Sequence, residues 1–453
     1  MSMTAMIDDA PVARLPRAHG VPVVAVHILH DIKEAAPLWQ RLEAGEIESP
    51  GQSLGFTRAW VAAQGIAPED QFYVVAEMEG QPVALLPLWR RKARGVTLLT
   101  WFPGPHVGCN APLVDIARLA RLGSVERAAL WSAMLETLAG ADLIYLKSVP
   151  QLVVDGVDLF AELGRSVAAE TLYRAQFQSW DEADKTQRSK SRRKHDRQQG
   201  DRLDALGQVG FEEVRNGPEA RAILEVMFRQ RAARFVEMGV PDPFTCEGIR
   251  AFYDSSVAAE SGIDIRLHVL RLDGEIVAIR YNVAHGTRLF CLISSMSDDA
   301  TVQTGSPGKQ CLLRVMQSVF DAGYRTFDMG AGFTDEKRHW CNVQVPVRHH
   351  YVPLTTLGSI AGEGHRTWQL IRQRIKSNER LKGWAKAVRS RLQPGRGSVA
   401  KDAGTEAAPS DTDPPTTGPA TTTLSDLILS LSKRSGHSAS EQLLLPQPVS
   451  SPR

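Results

Sequence analysis

The sequence predicts an α+β protein made of two similar halves, each a mostly antiparallel sheet with flanking helices. Three observations predict it. Ile265, Leu267 and Val269 alternate with Arg266 and His268, which is the period of two expected of a half-buried strand. Leu312, Leu313, Met316, Val319 and Phe320 recur at the spacing of one helix face. The order in which such segments appear in the first half of the chain then returns in the second. A chain of 453 residues is long enough to bury two substantial cores.

The first half opens with the apolar run Val21-Pro22-Val23-Val24-Ala25-Val26, read as a strand, followed by helical segments at 34–43 and 54–64. Segments 72–78 and 82–88 flank Glu79-Gly80 and read as a hairpin, because glycine takes the positive φ of a tight turn. Pro82 and Pro87 mark strand ends or an edge position, since proline cannot donate to a ladder. A third strand at 96–102, a helix at 124–138 and a strand at 142–146 complete this half. In the second half, a strand at 210–214 precedes helices at 218–236 and 247–259. Strand 265–269, the turn Asp273-Gly274, strand 276–283, the turn His285-Gly286 and strand 289–293 follow. Setting Gly80 on Gly274 aligns Val83 with Val277 and Ala84 with Ala278, and Gly140 parallels Gly323. The expected organisation is a disordered segment 1–20, a domain 21–180, a basic linker helix 181–205 and a second domain 206–357. A basic amphipathic helix 358–393 and a disordered tail 394–453 complete the chain.

Composition narrows the function classes. A net charge of +2 argues neither for nor against a polyanionic partner. Five cysteines lie scattered, without CxxC or Cys/His ligand spacing, as expected of reduced thiols in a cytoplasmic protein with no metal site. Residues 1–16 carry Asp8 and Asp9 and no apolar core, unlike a secretory signal, and no run approaches the roughly 18 apolar residues of a membrane span. The basic run Lys185, Arg188, Lys190, Arg192, Arg193, Lys194 and Arg197 reads either as a solvated helix face between domains or as a clamp on an anionic ligand. It lacks the interleaved aromatics of a nucleic-acid surface. Trp368, Ile371, Ile375, Leu381, Trp384, Val388 and Leu392 recur among basic residues, a pattern that fits packing on the protein, an anionic membrane surface or a synthase complex. Proline, serine, threonine, glycine and alanine dominate after residue 394, too little apolar surface to offset ordering entropy, with 424–431 a short apolar exception.

The stretch 304–342 carries the most chemistry. Thr304-Gly305-Ser306-Pro307-Gly308-Lys309 sits directly ahead of the apolar helix, and the first amides of a helix are unpaired and carry the positive end of its dipole. A phosphate-bearing ligand would dock on Thr304, Gly305, Ser306, Gly308 and Lys309. A short strand then delivers Asp328 beside Gly330-Ala331-Gly332, with Glu336, Lys337 and Trp340 beyond. A carboxylate at such a strand end is a candidate proton acceptor or substrate positioner if it is desolvated, or else an anchor for the loop amides. Asp298 and Asp299 lie close enough to repel a phosphate and are read as loop caps.

These residues bear a family resemblance. Leu85-Leu86-Pro87-Leu88 followed by Arg90-Arg91-Lys92, the run 188–194, Ser306-Pro307-Gly308 before Leu312-Leu313, and Phe327-Asp328-Met329-Gly330 followed by Lys337 and Trp340 are similar to motifs of the GNAT acyltransferases. Their order resembles the tandem, FemAB-like branch that includes the CelD/BcsL acetyltransferases of cellulose biosynthesis. Glu336 stands where that branch commonly has tyrosine, and Gln303-Thr304-Gly305-Ser306-Pro307-Gly308 matches the acyl-CoA signature loosely.

The resemblance implies that the sheet splays to hold an acyl thioester while a pyrophosphate rests at the start of the central helix. It implies transfer from acetyl-CoA or another acyl-CoA to an amine or hydroxyl of a glycan precursor or polar metabolite by direct attack. Asp328 and Lys337 are read as the catalytic pair, Lys337 pairing with a phosphate or sugar-bound anion or else lying solvated at the surface; Trp340 and Glu336 are read as contacting the acceptor, with Trp340 stacking on a sugar ring or simply closing the core. Two further readings stand beside it: a FemAB-like transferase that uses aminoacyl-tRNA, and a non-catalytic scaffold in a polysaccharide-synthesis complex.

Overall fold

The computed structural model describes residues 24–102 and 107–377. Strand β1 (Val24–Leu29) leads into α1 (Ile32–Glu43), which Asp31 starts by accepting a bond from the Lys33 amide, and then α2 (Leu54–Gln64), which left-handed Gly65 ends. Strands β2 (Gln71–Met78) and β3 (Gln81–Ala93) form the expected hairpin, with Glu79 at φ 54 and Gly80 at φ 72. Two successive positive φ values match the right-handed twist of the flanking strands, which is why a glycine is needed there. Next come β4 (Val96–Trp101), β5 (Leu113–Val114), α3 (Ile116–Arg121), α4 (Ser124–Glu136), β6 (Leu143–Pro150), the small pair β7 (Val153–Val154) and β8 (Val157–Asp158), and β9 (Arg165–Gln176).

Two helices, α5 (Trp180–Gln187) and α6 (Lys190–Asp204), then cross to β10 (Val209–Arg215), α7 (Pro218–Met238), α8 (Glu247–Ser256) and the antiparallel strands β11 (Asp264–Leu272), β12 (Glu275–His285) and β13 (Arg288–Met296). The short α9 (Ala300–Gln303), α10 (Pro307–Asp321), β14 (Thr326–Ala331), α11 (Asp335–Trp340), β15 (Val343–Pro353) and α12 (Thr356–Ser377) complete the described chain.

Thirteen strands form one sheet in the order β1-β2-β3-β4-β6-β15-β9-β14-β13-β12-β11-β10, with β5 on β3. The order reads the same from either end. In each direction four antiparallel strands lead to a parallel neighbour, β4 with β6 and β13 with β14. The centre is exchanged: β9, which follows β6 in the chain, pairs with β14, and β15, which follows β14, pairs with β6. β9 and β15 themselves pair from Arg174↔Val343 to Arg165↔Tyr351. One core packs α4 on the first strands through Leu130, Trp131 and Met134, and a second packs α10 on the last through Leu312, Val315, Met316 and Phe327. Among the described residues, those up to Gly364 belong to one compact unit and those from His365 to another.

Some expectations need correction. Pro82 and Pro87 lie inside β3, not at its ends. They fall where β2 is the only paired neighbour, because β5 takes Ala84 and Leu85 and β4 takes Leu88 to Ala93, so each ring has a locally unpaired flank. The linker predicted as one helix is two, broken at Arg188 and Ser189, where Ser189 accepts a bond from the Arg192 amide and restarts the coil. Its charges divide: Arg188 pairs with Asp184 and Asp196, Arg192 with Asp196, and Arg193 with Asp184, while Lys185, Lys190, Lys194 and Arg197 are exposed as on a solvated face. The central strand β9 was not anticipated at all. The segments expected at 1–20 and 394–453, the apolar stretch 424–431, and the basic-helix positions Leu381, Trp384, Val388 and Leu392 lie outside the described residues.

Candidate active site

A wedge opens where β13 and β14 part. The two strands pair only from Arg288↔Thr326 to Phe290↔Asp328. Beyond that, β13 stays with β12 out to Met296↔Ala278, while β14 stays with β9 at Ala331↔Leu172. At the point of divergence the register of β12 and β13 slips, from Asn282↔Cys291 to Tyr281↔Ile293, so Leu292 is an extra residue in β13. A bulge of this kind interrupts the ladder and turns backbone polar groups out of it.

At the far end of β13 lies a cleft of about 230 Å³, lined by Gln230, Arg231 and Arg234 of α7, Arg280, Ser294 to Asp298, Gln303, Gly308 and Glu336. α10 begins at this cleft. Ser306 caps it in the left-handed region at φ 54, and Pro307 occupies the first position, where a missing N–H costs nothing.

The turn is built differently from the expectation that its amides stand free. Thr304, Gly305 and Ser306 donate to the carbonyls of Thr301, Val302 and Gln303, and Lys309 donates to Ser306, because the short α9 flows into α10 through overlapping turns. Gly308, in the first turn of α10 where no intrahelical acceptor exists, is the amide left to meet a ligand. Gly305 serves packing: a Cβ there would come within 2.4 Å of Leu203 on α6. The Ser306 hydroxyl accepts from Gln199 Nε2 at 2.8 Å, so it too is held by α6. Asp299 caps α9 by accepting from the amides of Thr301 and Val302, as read.

Asp328 does not face an open loop. One carboxylate oxygen accepts from Arg174 Nε at 2.7 Å and the other from the Gly330 amide at 2.7 Å, which is the anchoring role. Arg174 continues to Glu48 at 2.7 Å, Glu48 to Arg288 at 2.8 Å, and Arg288 to Glu46 at 3.1 Å. This chain of alternating charge is buried from Glu48 to Asp328. Burial opposes ionisation at Glu48, but the Arg174 and Arg288 guanidiniums outweigh it and hold the carboxyl below its usual range. The loop bearing Glu46 and Glu48 is fixed by Trp39 Nε1 donating to the Gln52 carbonyl and by Ser49 Oγ donating to that of Cys109. Arg174, Glu48 and Arg288 escaped sequence reading because nothing local marks residues so far apart in the chain as partners.

α11 brings the remaining candidates to the wedge. Lys337 Nζ donates to the carbonyls of Ala331 at 2.6 Å and Gly330 at 3.3 Å, at the free end of β14, and burial lowers its pKa. Glu336 reaches the cleft and pairs with Arg280 Nη2 at 3.1 Å. Trp340 is not a platform for a sugar ring. It is buried in the core of the second half beside Trp180, with the Arg188 guanidinium 5.9 Å from its ring centre. Burial raises the thiol pKa of Cys291 despite the nearby Arg280 guanidinium, so it is not an activated nucleophile.

Residues 190–338 match the family model for an acetyltransferase (GNAT) domain. The matched stretch runs from the start of α6 into α11 and so contains both the wedge and the cleft. No curated protein matches the chain. Solved structures with similar folds include L-PGS from Bacillus licheniformis, 14% identical, covering 73% of this chain and 95% of that one at a TM-score of 0.45. FemX is 12% identical, covering 71% and 96% at a TM-score of 0.45. A tandem GNAT protein from the clavulanic acid biosynthesis pathway is 12% identical, covering 72% and 98% at a TM-score of 0.38.

Proposed function

We propose that this protein is an acyl-CoA-dependent acyltransferase, with acetyl-CoA as donor, that acylates an amine or hydroxyl of a glycan precursor or similar polar metabolite in the cytoplasm. The observation that carries the reading is the wedge: β13 and β14 diverge at a bulge, and the cleft where α10 begins lies at the far end of β13. A thioester lying in the wedge would put its diphosphate in that cleft, against the Gly308 amide, the positive end of the helix and Arg280. The GNAT match over the same residues supports it.

The acceptor attacks the thioester carbonyl directly. Its nitrogen or oxygen forms the new bond to the acyl carbon, the carbon–sulfur bond breaks, and the thiol leaves. Lys337, whose burial favours the neutral amine, takes the acceptor's proton and then serves the leaving sulfur. Asp328 is a positioning residue that holds Gly330 and, through it, the end of β14 on which Lys337 rests. In this reading 21–180 and 206–357 are two GNAT-like halves, the first closing the site around the second through β9 and the Glu48 loop. The branch is the polysaccharide-associated CelD/BcsL type.

Calorimetric titration with acetyl-CoA, beside Gly308→Asp, tests it. A Cβ added there meets Met296 Sδ at 3.1 Å, part of an unbranched side chain that can give by a few tenths of an ångström, and the carboxylate brings a negative charge to the cleft. Saturable binding that disappears in the variant is expected. Absence of binding by either protein to acetyl-CoA and longer acyl-CoAs, with ribonuclease-sensitive activity instead, would overturn it in favour of an aminoacyl-tRNA donor.

A further inference from the structure

The cleft is charge-balanced as it stands. Three arginines line it, Arg231, Arg234 and Arg280, and so do three carboxylates, Glu237, Asp298 and Glu336. These groups are not equivalent. Arg234 and Glu237 form an exposed pair on one face of α7, with 52% and 69% of their side chains accessible, where an ion pair contributes little and water screens it. Arg280 is the opposite case. Its side chain is 5% accessible, Nη1 contacts the Cys291 sulfur, Nη2 donates to the Gly308 carbonyl and to Glu336, and Nε has no hydrogen-bond partner among the described residues. Burial works against the charge on this guanidinium, and Glu336 foremost restores it. A buried cation left without an anion is strongly destabilising. Glu336, by contrast, is one-third accessible, sits in the first turn of a six-residue helix, and can swing to solvent without disturbing the buried Trp340 at the other end.

We propose that Glu336 is a resident stand-in for the ligand's phosphate. Its carboxylate holds Arg280 while the cleft is empty and yields that guanidinium to an incoming diphosphate, so anion binding here is an exchange and not an addition. The inference rests on the cleft being the diphosphate site of the proposed donor. It also sets a selectivity. A ligand with a single weak negative charge cannot outcompete a carboxylate already tethered beside Arg280, whereas a diphosphate brings more charge and also reaches the Gly308 amide.

Titrating the full chain and its variants with inorganic pyrophosphate, and separately with acetyl-CoA, tests the exchange. Glu336→Gln keeps a polar side chain beside Arg280 but removes the competing charge. It is expected to bind pyrophosphate about tenfold more tightly than the parent, a coupling of ordinary size between two ligands sharing one site. Pyrophosphate is also expected to raise the melting temperature of that variant more than that of the parent. Glu237→Gln removes an equal charge from the rim and is expected to change affinity less than about twofold. Arg280→Met is expected to abolish the effect. Should that variant fail to fold, the comparison of Glu336→Gln with Glu237→Gln decides alone. Unchanged or weaker binding by Glu336→Gln, equal tightening by Glu237→Gln, or no pyrophosphate binding by any variant would each overturn the exchange. If pyrophosphate shows the expected pattern while acetyl-CoA binds to none of the proteins, the donor assignment falls and the exchange stands.

Discussion

Replacing Arg174 by methionine probes the bond between the Glu48 loop of the first half and the central strands β9 and β14. Arg174 lies between Glu48 and Asp328, at 2.7 Å from each, and the two carboxylates are only 8% and 6% accessible. Methionine fills similar space but leaves two buried carboxylates, of which Glu48 keeps Arg288 and Asp328 keeps the Gly330 amide. Breaking one buried ion pair costs about 3–5 kcal/mol, so the variant should lose at least that much at neutral pH. The loss is a large part of the about 5–15 kcal/mol typical of a folded domain.

Its pH dependence carries the sign. In the parent, Glu48 has a folded pKa below its unfolded value of about 4.5. Its contribution is therefore present above that value and lost as pH falls through the folded one. Without Arg174, burial becomes the larger influence on Glu48, its protonated form becomes acceptable in the fold, and the deficit should narrow as pH falls from neutral towards 4.5. Urea denaturation followed by tryptophan fluorescence at several pH values measures both effects. Adding Asp328→Asn to Arg174→Met should cost less than the sum of the single changes, because the two side chains share one interaction. A neutral-pH loss under about 1 kcal/mol, or a deficit independent of pH, would refute the view that this chain of charges ties the Glu48 loop to the central strands.

Three other outcomes are expected. Gly305→Ala drives a Cβ into Leu203 and should lower stability by about 1–3 kcal/mol in thermal melts, without the selective loss of acetyl-CoA binding seen with Gly308→Asp. Lys337→Gln should lower kcat by about 10²-fold or more in a thiol-release assay while leaving acetyl-CoA affinity within about twofold, and should remove the rise of kcat with pH expected of a base that acts only when neutral. Burial pushes His350 down to about 4, so the folded state holds it neutral. The stability it contributes is complete above its unfolded value near 6.5 and is lost as pH falls from there to about 4. His350→Gln should flatten the stability curve across that window in urea titrations.

The sequence by itself determined the local elements. Periodicity marked β11 and α10, and Gly80 and Gly274 marked equivalent hairpins whose turns, Glu79-Gly80 and Asp273-Gly274, share successive positive φ values. These features are readable because turn geometry and helix or strand period depend on residues within a few positions of one another. A glycine-rich helix start is likewise a local motif, and Gly308 within it lines the cleft together with Glu336.

Only the tertiary structure decided how the halves join. The exchange of β9 and β15 at the centre of the sheet follows from burying strand faces against partners far along the chain, and β9, with little β-branched character in Arg165–Gln176, has no local signal of its own. The charge chain depends on side chains separated by 126, 154 and 240 residues, and the Arg280–Glu336 pair on two separated by 56. Helix overlap at α9 and α10 took up the amides of Thr304, Gly305 and Ser306, and Trp340 was claimed by the core. A motif states which groups are near one another in the chain. Which of them remain free for a ligand is settled by what packs against them.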